Sequence, residues 1–340
     1  MKTKIAINGF GRIGRNAFKI AFDRSDLEIV AVNDPSEVRT LAHLLAHDTN
    51  YGKYDKKVET EGKDLIVDGK HIKVFGEREP EKLPWKDLGI DVVVECTGFF
   101  TNKEGAQLHI KSGAKRVVIS APTKSPDVPT IVIGANEDEL DSSSEIISNA
   151  SCTTNSIAAV MSLLEETFGI EKAMLTTVHS YTASQKLLDA SAKDLREGRN
   201  AANNLVPTST GAAIAVGLTV PQVQGKFDGL SIRVPTPVVS ISDVTILFKK
   251  DVTKEGINDV FKKAAEDPYY QGIIGITEEP LVSSDFVGNS HSGIVDLLLT
   301  NVVGGNMGKV VVWYDNEWGY ANRLVELVAD TGKLLHNKSK

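Results

Sequence analysis

The stretch "KIAINGFGRIGRNAFKIAFDRSDLEIVAVND", Lys4 to Asp34, decides the fold. Its first residues, Lys4 to Ile7, are a short β-rich run that leads straight into G-x-G-x-x-G, with glycines at Gly9, Gly11 and Gly14. Behind the glycines Ala17, Phe18, Ala21 and Phe22 recur at helical spacing. "LEIVAVND" then reads as a second strand, and its acid, Asp34, stands 20 positions beyond Gly14. Glycines let the backbone turn tightly and approach a pyrophosphate, while the helix N-terminus offers unpaired N–H groups and a positive dipole end. An acid closing the second strand accepts hydrogen bonds from an adenosine ribose. A lone glycine triplet is common; strand, glycines, helix, strand and acid in this order specify a dinucleotide-binding βαβ unit rather than a turn with a surface aspartate.

The same architecture continues outward. "DVVVECTG", Asp91 to Gly98, is an unbroken apolar strand, as expected where both sheet faces are covered. It puts Thr97 and Gly98 at the sheet's carboxyl edge, and "KRVVISAP" does the same for Ser120. "TIVIGAN" and "EIISNAS" read as two further strands, and "KDLIVDGKHIKVFG" as a hairpin turning at Asp68–Gly69. Residues 1–151 are therefore expected to form a Rossmann-type α/β domain with an open, mostly parallel sheet, whose ligand lies beyond the carboxyl ends of the strands. The second half changes character: "AMLTTVHSYT", "LSIRVPTPVVSISDVTILFKK", "GIVDLLLTNVV" and "KVVVWYDNE" are long β-rich runs, several of them alternating. This predicts an α+β catalytic domain over 152–316 with a mainly antiparallel sheet. A closing amphipathic helix, 317–340, with Leu324, Leu327 and Val328 as its stripe, is expected to complete the first domain. "QKLLDASAKDLREGRNAANNLVPTST" is long, polar and aperiodic, the kind of loop that serves a site or packs on a partner.

Composition narrows the classes. A length of 340 residues suits two domains, and 41% hydrophobic with 24% charged residues is ordinary globular usage. A net charge of -7 with interspersed signs argues against a nucleic-acid partner. No apolar run approaches the length of a membrane span, and the apolar stretch of "MKTKIAINGF" breaks too soon for a signal peptide. Two cysteines without a paired framework fit a reducing cytoplasm. His, Cys and Asp do not recur at metal-ligand spacing, so no metal is expected.

One of those cysteines, Cys152, lies in "SNASCTTNS", directly after the last strand of the first sheet and before a segment with helical pattern. A buried cysteine in an apolar setting is usually a small hydrophobe. Here hydroxyls surround it, and a helix N-terminus stabilises a thiolate, so the residue reads as a nucleophile. Cys96, inside an apolar strand end, keeps the packing role beside the crevice, and His43, His47, His71, His109, His291 and His336 read as structural or surface residues. Arg233 sits within an apolar strand and needs an anionic partner.

"INGFGRIGR", "SNASCTTNS", "HSYT", "PTSTGAA", "RVPTPVVS" and "WYDNEWGY" stand in this order, and together they strongly resemble phosphorylating glyceraldehyde-3-phosphate dehydrogenases over essentially the whole chain. The resemblance implies that Cys152 attacks the aldehyde of D-glyceraldehyde 3-phosphate, with His179 as general base. It assigns the substrate phosphate to Thr182 and Arg233, the inorganic phosphate to Ser151, Thr153, Thr210 and Gly211, and the junction to Arg199. It assigns cofactor contacts to Asn8, Gly9, Phe10, Gly11, Arg12, Ile13, Gly14, Asn33, Asp34, Arg78, Thr97, Gly98, Ser120, Ser191, Asn316 and Tyr320. Trp313 reads as core packing. It also implies a homotetramer. The chain departs from the family pattern at Ser156, where a second cysteine is usual, in "TASQ", which lacks an acid, and at Ile214, where a lysine is usual. None of these changes removes the reaction.

Asp34 favours NAD, because its carboxylate bonds a ribose hydroxyl and repels a 2′-phosphate. Ala190–Ser191 resembles instead the pair found in family members that accept NADP, so NAD binding with tolerated NADP is expected. Two rival readings carry tests: an erythrose-4-phosphate dehydrogenase would turn over independently of phosphate, and an NAD-binding regulator or RNA-binding protein that lost catalysis would not need Cys152.

Overall fold

The computed structural model describes residues 2–337, so Met1 and the last three residues of the expected 317–340 helix lie outside the described residues. The chain divides into two compact units. One takes in the chain up to Ile131, Asp138–Ala150 and the chain from Ala321 onward; the other holds Val132–Glu137 and Ser151–Tyr320.

In the first unit β1 (Thr3–Asn8), α1 (Arg12–Phe22) and β2 (Leu27–Asn33) form the expected βαβ. Ala17, Phe18 and Ala21 are the buried apolar face of α1, and Phe18 meets Phe10 edge to face at 5.5 Å. After α2 (Val38–Ala46) come β3 (Val58–Glu61), β4 (Asp64–Val67) and β5 (Lys70–Phe75). Asp68 and Gly69, both at positive φ, turn the hairpin between β4 and β5. Then follow β6 (Val92–Glu95), α3 (Lys103–Lys111), β7 (Arg116–Ile119) and β8 (Ile146–Ser148). The sheet order is β8-β7-β6-β1-β2-β5-β4-β3, parallel from β8 to β5 and antiparallel in the hairpin arm. The chain leaves β1 toward β2 and later returns to its other side through β6. That reversal opens a crevice beyond the carboxyl ends of the strands. β6 is buried throughout, which explains its unbroken apolar reading.

"TIVIGAN" is not a strand. Only Thr130 bridges, to Ser148. Asn136 then accepts the Val132 N–H through Oδ1 at 2.9 Å, and Gly134 takes φ +89. A side chain that mimics the backbone acceptor competes with the ladder and turns the chain.

The second unit opens with α4 (Cys152–Phe168) and β9 (Ile170–Ser180), followed by β10 (Val206–Ser209), α5 (Ala212–Thr219), β11 (Phe227–Val234), β12 (Ser240–Phe248), α6 (Lys254–Glu266), β13 (Ile274–Thr277), β14 (Gly293–Asp296), β15 (Asn301–Val303) and β16 (Met307–Tyr314). The sheet runs β10-β11-β9-β12-β16-β14-β13, with β15 on β16. Its pairings are antiparallel except β9 with β11 and β13 with β14. β12 alternates buried and half-buried along its whole length, the signature of a sheet covered on one face. On β9 the covered face carries Ala173, Leu175, Thr177 and His179, so polarity rises toward one end. Trp313 packs as expected, stacked on Phe286 at 5.2 Å. Residues 185–205 hold no strand or helix. Local bonds shape them: the Ala190 N–H donates to the Gly198 carbonyl at 2.9 Å.

The last helix, α7 (Trp318–Asn337), buries Leu324, Leu327 and Val328. Within the first unit a Cβ on Gly332 would meet Thr3 Oγ1 at 2.2 Å, so the close packing there requires glycine.

Candidate active site

Ala150, buried and held at φ 55, turns the chain immediately before α4. A non-glycine residue there costs of order 1 kcal/mol and persists only where its surroundings hold it. Ser151 caps the helix, accepting the Thr154 N–H on Oγ at 3.1 Å, and the first turn carries no acid. Cys152 is the first helical residue, at the positive end of the dipole with no carboxylate to offset it.

Strand register supplies the partners. His179 lies opposite Arg233 across the parallel β9–β11 pair, and Ser240 lies opposite Tyr314 across β12–β16. Cys152 Sγ faces His179 Nε2 at 3.4 Å. The Ser180 carbonyl stands 2.7 Å from His179 Nδ1, and the tautomer that donates to it has its Nε2 lone pair toward the thiol. Arg233 Nη1 stands 2.6 Å from the same Nδ1 and 3.4 Å from the same carbonyl. Among the described residues Arg233 forms no ion pair, and its Nε is buried without a hydrogen-bond partner. A guanidinium held like this lacks an anion.

Burial pushes the Cys152 thiol up from its ordinary value, against the pull of Arg233 and Thr153. Burial, and then Arg233, push His179 down to about 3, against the Ser180 carbonyl. Neither charge is favoured alone. Moving one proton from Sγ to Nε2 makes both at once, 3.4 Å apart, where their attraction is about 5 kcal/mol at an effective dielectric near 20. That attraction recovers only part of what burial and Arg233 cost, so the imidazole takes the thiol proton as the sulfur attacks, the more readily once an anion offsets Arg233.

Two groups around the pair were not singled out from the sequence. Tyr314 Oη bonds Thr153 Oγ1 at 2.9 Å and Thr177 Oγ1 at 2.8 Å, and its ring meets His179 edge on at 6.0 Å. Ser180 and Ser240 both donate to Asn316 Oδ1, at 2.8 and 3.1 Å, which leaves the amide NH2 as its end for a ligand. Val239, just before Ser240, is held at φ 70. Tyr314 stands inside the quoted "WYDNEWGY", but cross-strand register is needed to find it.

The remaining expected anion ligands make local bonds. Thr182 donates to Gln185 Oε1 at 3.1 Å. Thr210 Oγ1 accepts the Ala212 N–H at 3.2 Å beside Gly211, the N-cap residue of α5. Arg199 is exposed and tied to Asp189 at 3.0 Å, and Ser191 and Tyr320 are exposed and buried respectively.

The crevice of the first unit encloses about 570 Å³, with Gly9, Gly11, Asp34, Arg78 and Thr97 among its lining. A Cβ on Gly14 would lie 2.1 Å from the Gly9 carbonyl oxygen, whereas around Gly11 nothing lies within 4 Å, so ligand backbone approach is open there. No side chain caps α1. Asp34 accepts the Phe10 and Ser36 N–H groups at 2.9 and 3.0 Å, one on each oxygen, which fixes the glycine loop and aims the carboxylate. Arg12 pairs with Asp48, so with Ile13 it offers backbone rather than charge. Ser120 bonds the Cys96 thiol, which burial pushes up to about 12; Cys96 is not a competing nucleophile. These features fit a dinucleotide. Among the described residues no group of three or more His, Cys, Asp or Glu side chains is placed to hold a metal ion, and no helix is long and apolar enough to cross a membrane.

Comparison with known proteins agrees on one family. The family model "Glyceraldehyde 3-phosphate dehydrogenase, NAD binding domain" matches residues 3–103, and "Glyceraldehyde 3-phosphate dehydrogenase, C-terminal domain" matches residues 151–316. The glyceraldehyde-3-phosphate dehydrogenase of Thermotoga maritima is 56% identical over 325 residues, 95% of this chain and 97% of its own. That of Borreliella burgdorferi is 53% identical over 330 residues, 95% of this chain and 98% of its own. Glyceraldehyde-3-phosphate dehydrogenase 1 of Bacillus subtilis is 50% identical over 334 residues, covering 98% and 99%.

Proposed function

The chain belongs to the glyceraldehyde-3-phosphate dehydrogenase family, and from that membership and its site we propose that it oxidises D-glyceraldehyde 3-phosphate reversibly to 1,3-bisphosphoglycerate, with NAD and inorganic phosphate. The observation that carries the reading is Cys152 Sγ at 3.4 Å from His179 Nε2, with an arginine that has no ion-pair partner among the described residues against the same imidazole.

His179 takes the thiol proton as Cys152 Sγ attacks the aldehyde carbon, and its Nε2–H then donates to the oxygen that gains charge. NAD, which the glycine loop and Asp34 would hold, would supply the acceptor for the hydride of the hemithioacetal carbon. Loss of that hydride leaves a thioester on Cys152, which retains the free energy of oxidation that hydrolysis would dissipate. An oxygen of inorganic phosphate attacks the acyl carbon, and the sulfur leaves as thiolate beside the imidazolium. Arg233 and Thr182 hold the substrate's own phosphate; Ser151, Thr153, Thr210 and Gly211 hold the attacking one, with Arg199 between. A phosphate on Arg233 offsets one of the two causes that push His179 down, so substrate binding itself strengthens the base. The glycine loop with Asn8, Asn33, Asp34 and Arg78 would hold a dinucleotide, and Asn316 and Tyr320 are the residues that would meet a nicotinamide.

Leu187, Leu188, Leu195, Leu205 and Ile214 are 70–88% exposed, which supports a homotetramer with these side chains at its contacts. Free Cys96 and Cys152 support a cytoplasmic setting. Purified protein is expected to reduce NAD with the aldehyde only when phosphate or arsenate is present. Turnover indifferent to phosphate would overturn the reading and favour release of a free acid, as an erythrose-4-phosphate dehydrogenase would show. NADP is expected to support a kcat/KM above about one-thousandth of the NAD value, a difference of about 4 kcal/mol at most; a lower value would reject its tolerance.

A further inference from the structure

Beneath the crevice of the first unit its lining asparagines continue into buried groups, Glu95, His109 and Trp85, that the chemistry above does not use. Strand register sets Asn33, Asn8 and Glu95 side by side at the carboxyl ends of β2, β1 and β6. Glu95 is 1% exposed and His109, on α3, 0%. Asn33 Nδ2 donates to Asn8 Oδ1 at 2.7 Å, and Asn8 Nδ2 donates to Glu95 Oε2 at 2.6 Å. At the far end Trp85 Nε1 donates to His109 Nδ1 at 3.0 Å. An indole nitrogen only donates, so Nδ1 accepts and the imidazole proton sits on Nε2. That nitrogen donates to the same Glu95 Oε2 at 3.2 Å and lies 3.3 Å from Asn8 Nδ2, two donors converging on one oxygen. Glu95 Oε1 accepts the Thr97 N–H at 2.7 Å and the Thr97 hydroxyl. The hydroxyl oxygen accepts in turn from the Phe99 N–H at 3.0 Å, across Gly98 at φ 75.

Every partner of the Glu95 oxygens is thus a donor, and a buried carboxylate needs this many to stand without a cation. The groups so held are the crevice itself. Asn8, Asn33, Thr97 and Phe99 line it, and Glu95, His109 and Trp85 do not. Asn33 extends the row to the turn after β5 by exchanging bonds with the Glu77 N–H and carbonyl at 2.9 and 2.8 Å.

We propose that Glu95, oriented by Trp85 through His109, is a positioning residue for dinucleotide binding. It fixes the Asn8 amide and the Thr97–Phe99 turn in the form the ligand meets. The proposal rests on the reading of this crevice as the dinucleotide site. Glu95→Gln keeps the shape but puts an NH2 where only donors converge, so the turn must open. Trp85→Phe removes the N–H that fixes the His109 tautomer and leaves the carboxylate in place.

Calorimetric titration with NADH tests this, together with the rate at which iodoacetamide alkylates Cys152 in the cofactor-free protein. Glu95→Gln is expected to raise the NADH Kd about 10-fold or more and Trp85→Phe about threefold, as losses of supporting hydrogen bonds do elsewhere. Cys152, in the other unit, is expected to alkylate at the parent rate within twofold. NADH binding within twofold of the parent in Glu95→Gln overturns the proposal, as does an alkylation rate that falls in step with affinity, the mark of a general loss of structure. If Glu95→Gln fails to fold, Trp85→Phe binding as the parent does overturns it. A parent protein that binds no NADH would instead sink the reading on which the proposal rests.

Discussion

Cys152→Ala is expected to lower kcat/KM for aldehyde oxidation by at least 10⁴-fold, about 5.5 kcal/mol of transition-state stabilisation, with a thermal midpoint close to the parent's. The size follows from the mechanism. Without the sulfur no hemithioacetal forms, and the carbonyl carbon would have to give up hydride as a hydrate with no covalent hold. Stability is spared because Cys152 is the first residue of α4, half-buried, and the cap belongs to its neighbour Ser151. Dinucleotide affinity is expected to persist, since the glycine loop is untouched. Residual activity above about one part in a hundred, in protein free of parent enzyme, would mean that the thiol is not the nucleophile.

His179→Asn is expected to slow iodoacetamide alkylation of Cys152 at pH 7 by about 100-fold, and to lower turnover by 10²–10⁴-fold as removal of a general base does. The sign follows from the causes of the shifts. Burial raises the Cys152 thiol above its ordinary value, and only the imidazole can take its proton within the pocket. Without that acceptor the thiolate is a fraction of about one per cent or less at neutral pH. The variant's alkylation rate should therefore climb with pH and approach the parent's only above the ordinary thiol range. The parent, with an imidazole to take the proton as the sulfur attacks, should already react at neutrality. A variant that alkylates at the parent rate at pH 7 would show that Arg233 and the helix dipole suffice.

Much of this was legible because the deciding signals are local. Gly9, Gly11, Gly14 and Asp34 lie within one βαβ unit, and the structure displays a steric reason for two of the glycines: a Cβ would lie 2.7 Å from the Thr97 nitrogen at Gly9 and 2.1 Å from the Gly9 carbonyl oxygen at Gly14. Cys152 at a helix start could be read from its small hydroxyl-bearing neighbours. Arg233 could be read as an anion ligand because an arginine amid strand residues has no other economical partner. Its pairing opposite His179 lay in the register of two strands more than fifty residues apart, which no local pattern encodes.

The same limit hid the rest. Glu95 lies inside "DVVVECTG", which reads as an unbroken apolar strand, and His109 reads as a structural or surface residue. Their meaning arises only when β2, β1 and β6 align. "TIVIGAN" read as a strand because Ile131 and Val132 are apolar, but both are buried without a ladder, and the Asn136 side chain ends the extension. α6 went unnoticed among β-rich runs, although Thr253 caps it, accepting the Gly256 N–H at 3.0 Å, and Ile257, Phe261 and Ala264 recur at helical spacing.

The most direct test is to mix the protein with stoichiometric NAD and glyceraldehyde 3-phosphate in phosphate-free buffer, quench in acid and map the adduct by mass spectrometry. A phosphoglyceryl group in thioester linkage on Cys152 is expected, released as acyl phosphate when inorganic phosphate is added before the quench. NADH formed in one stoichiometric burst with Cys152 unmodified, or with the acyl group on another residue, would contradict the account.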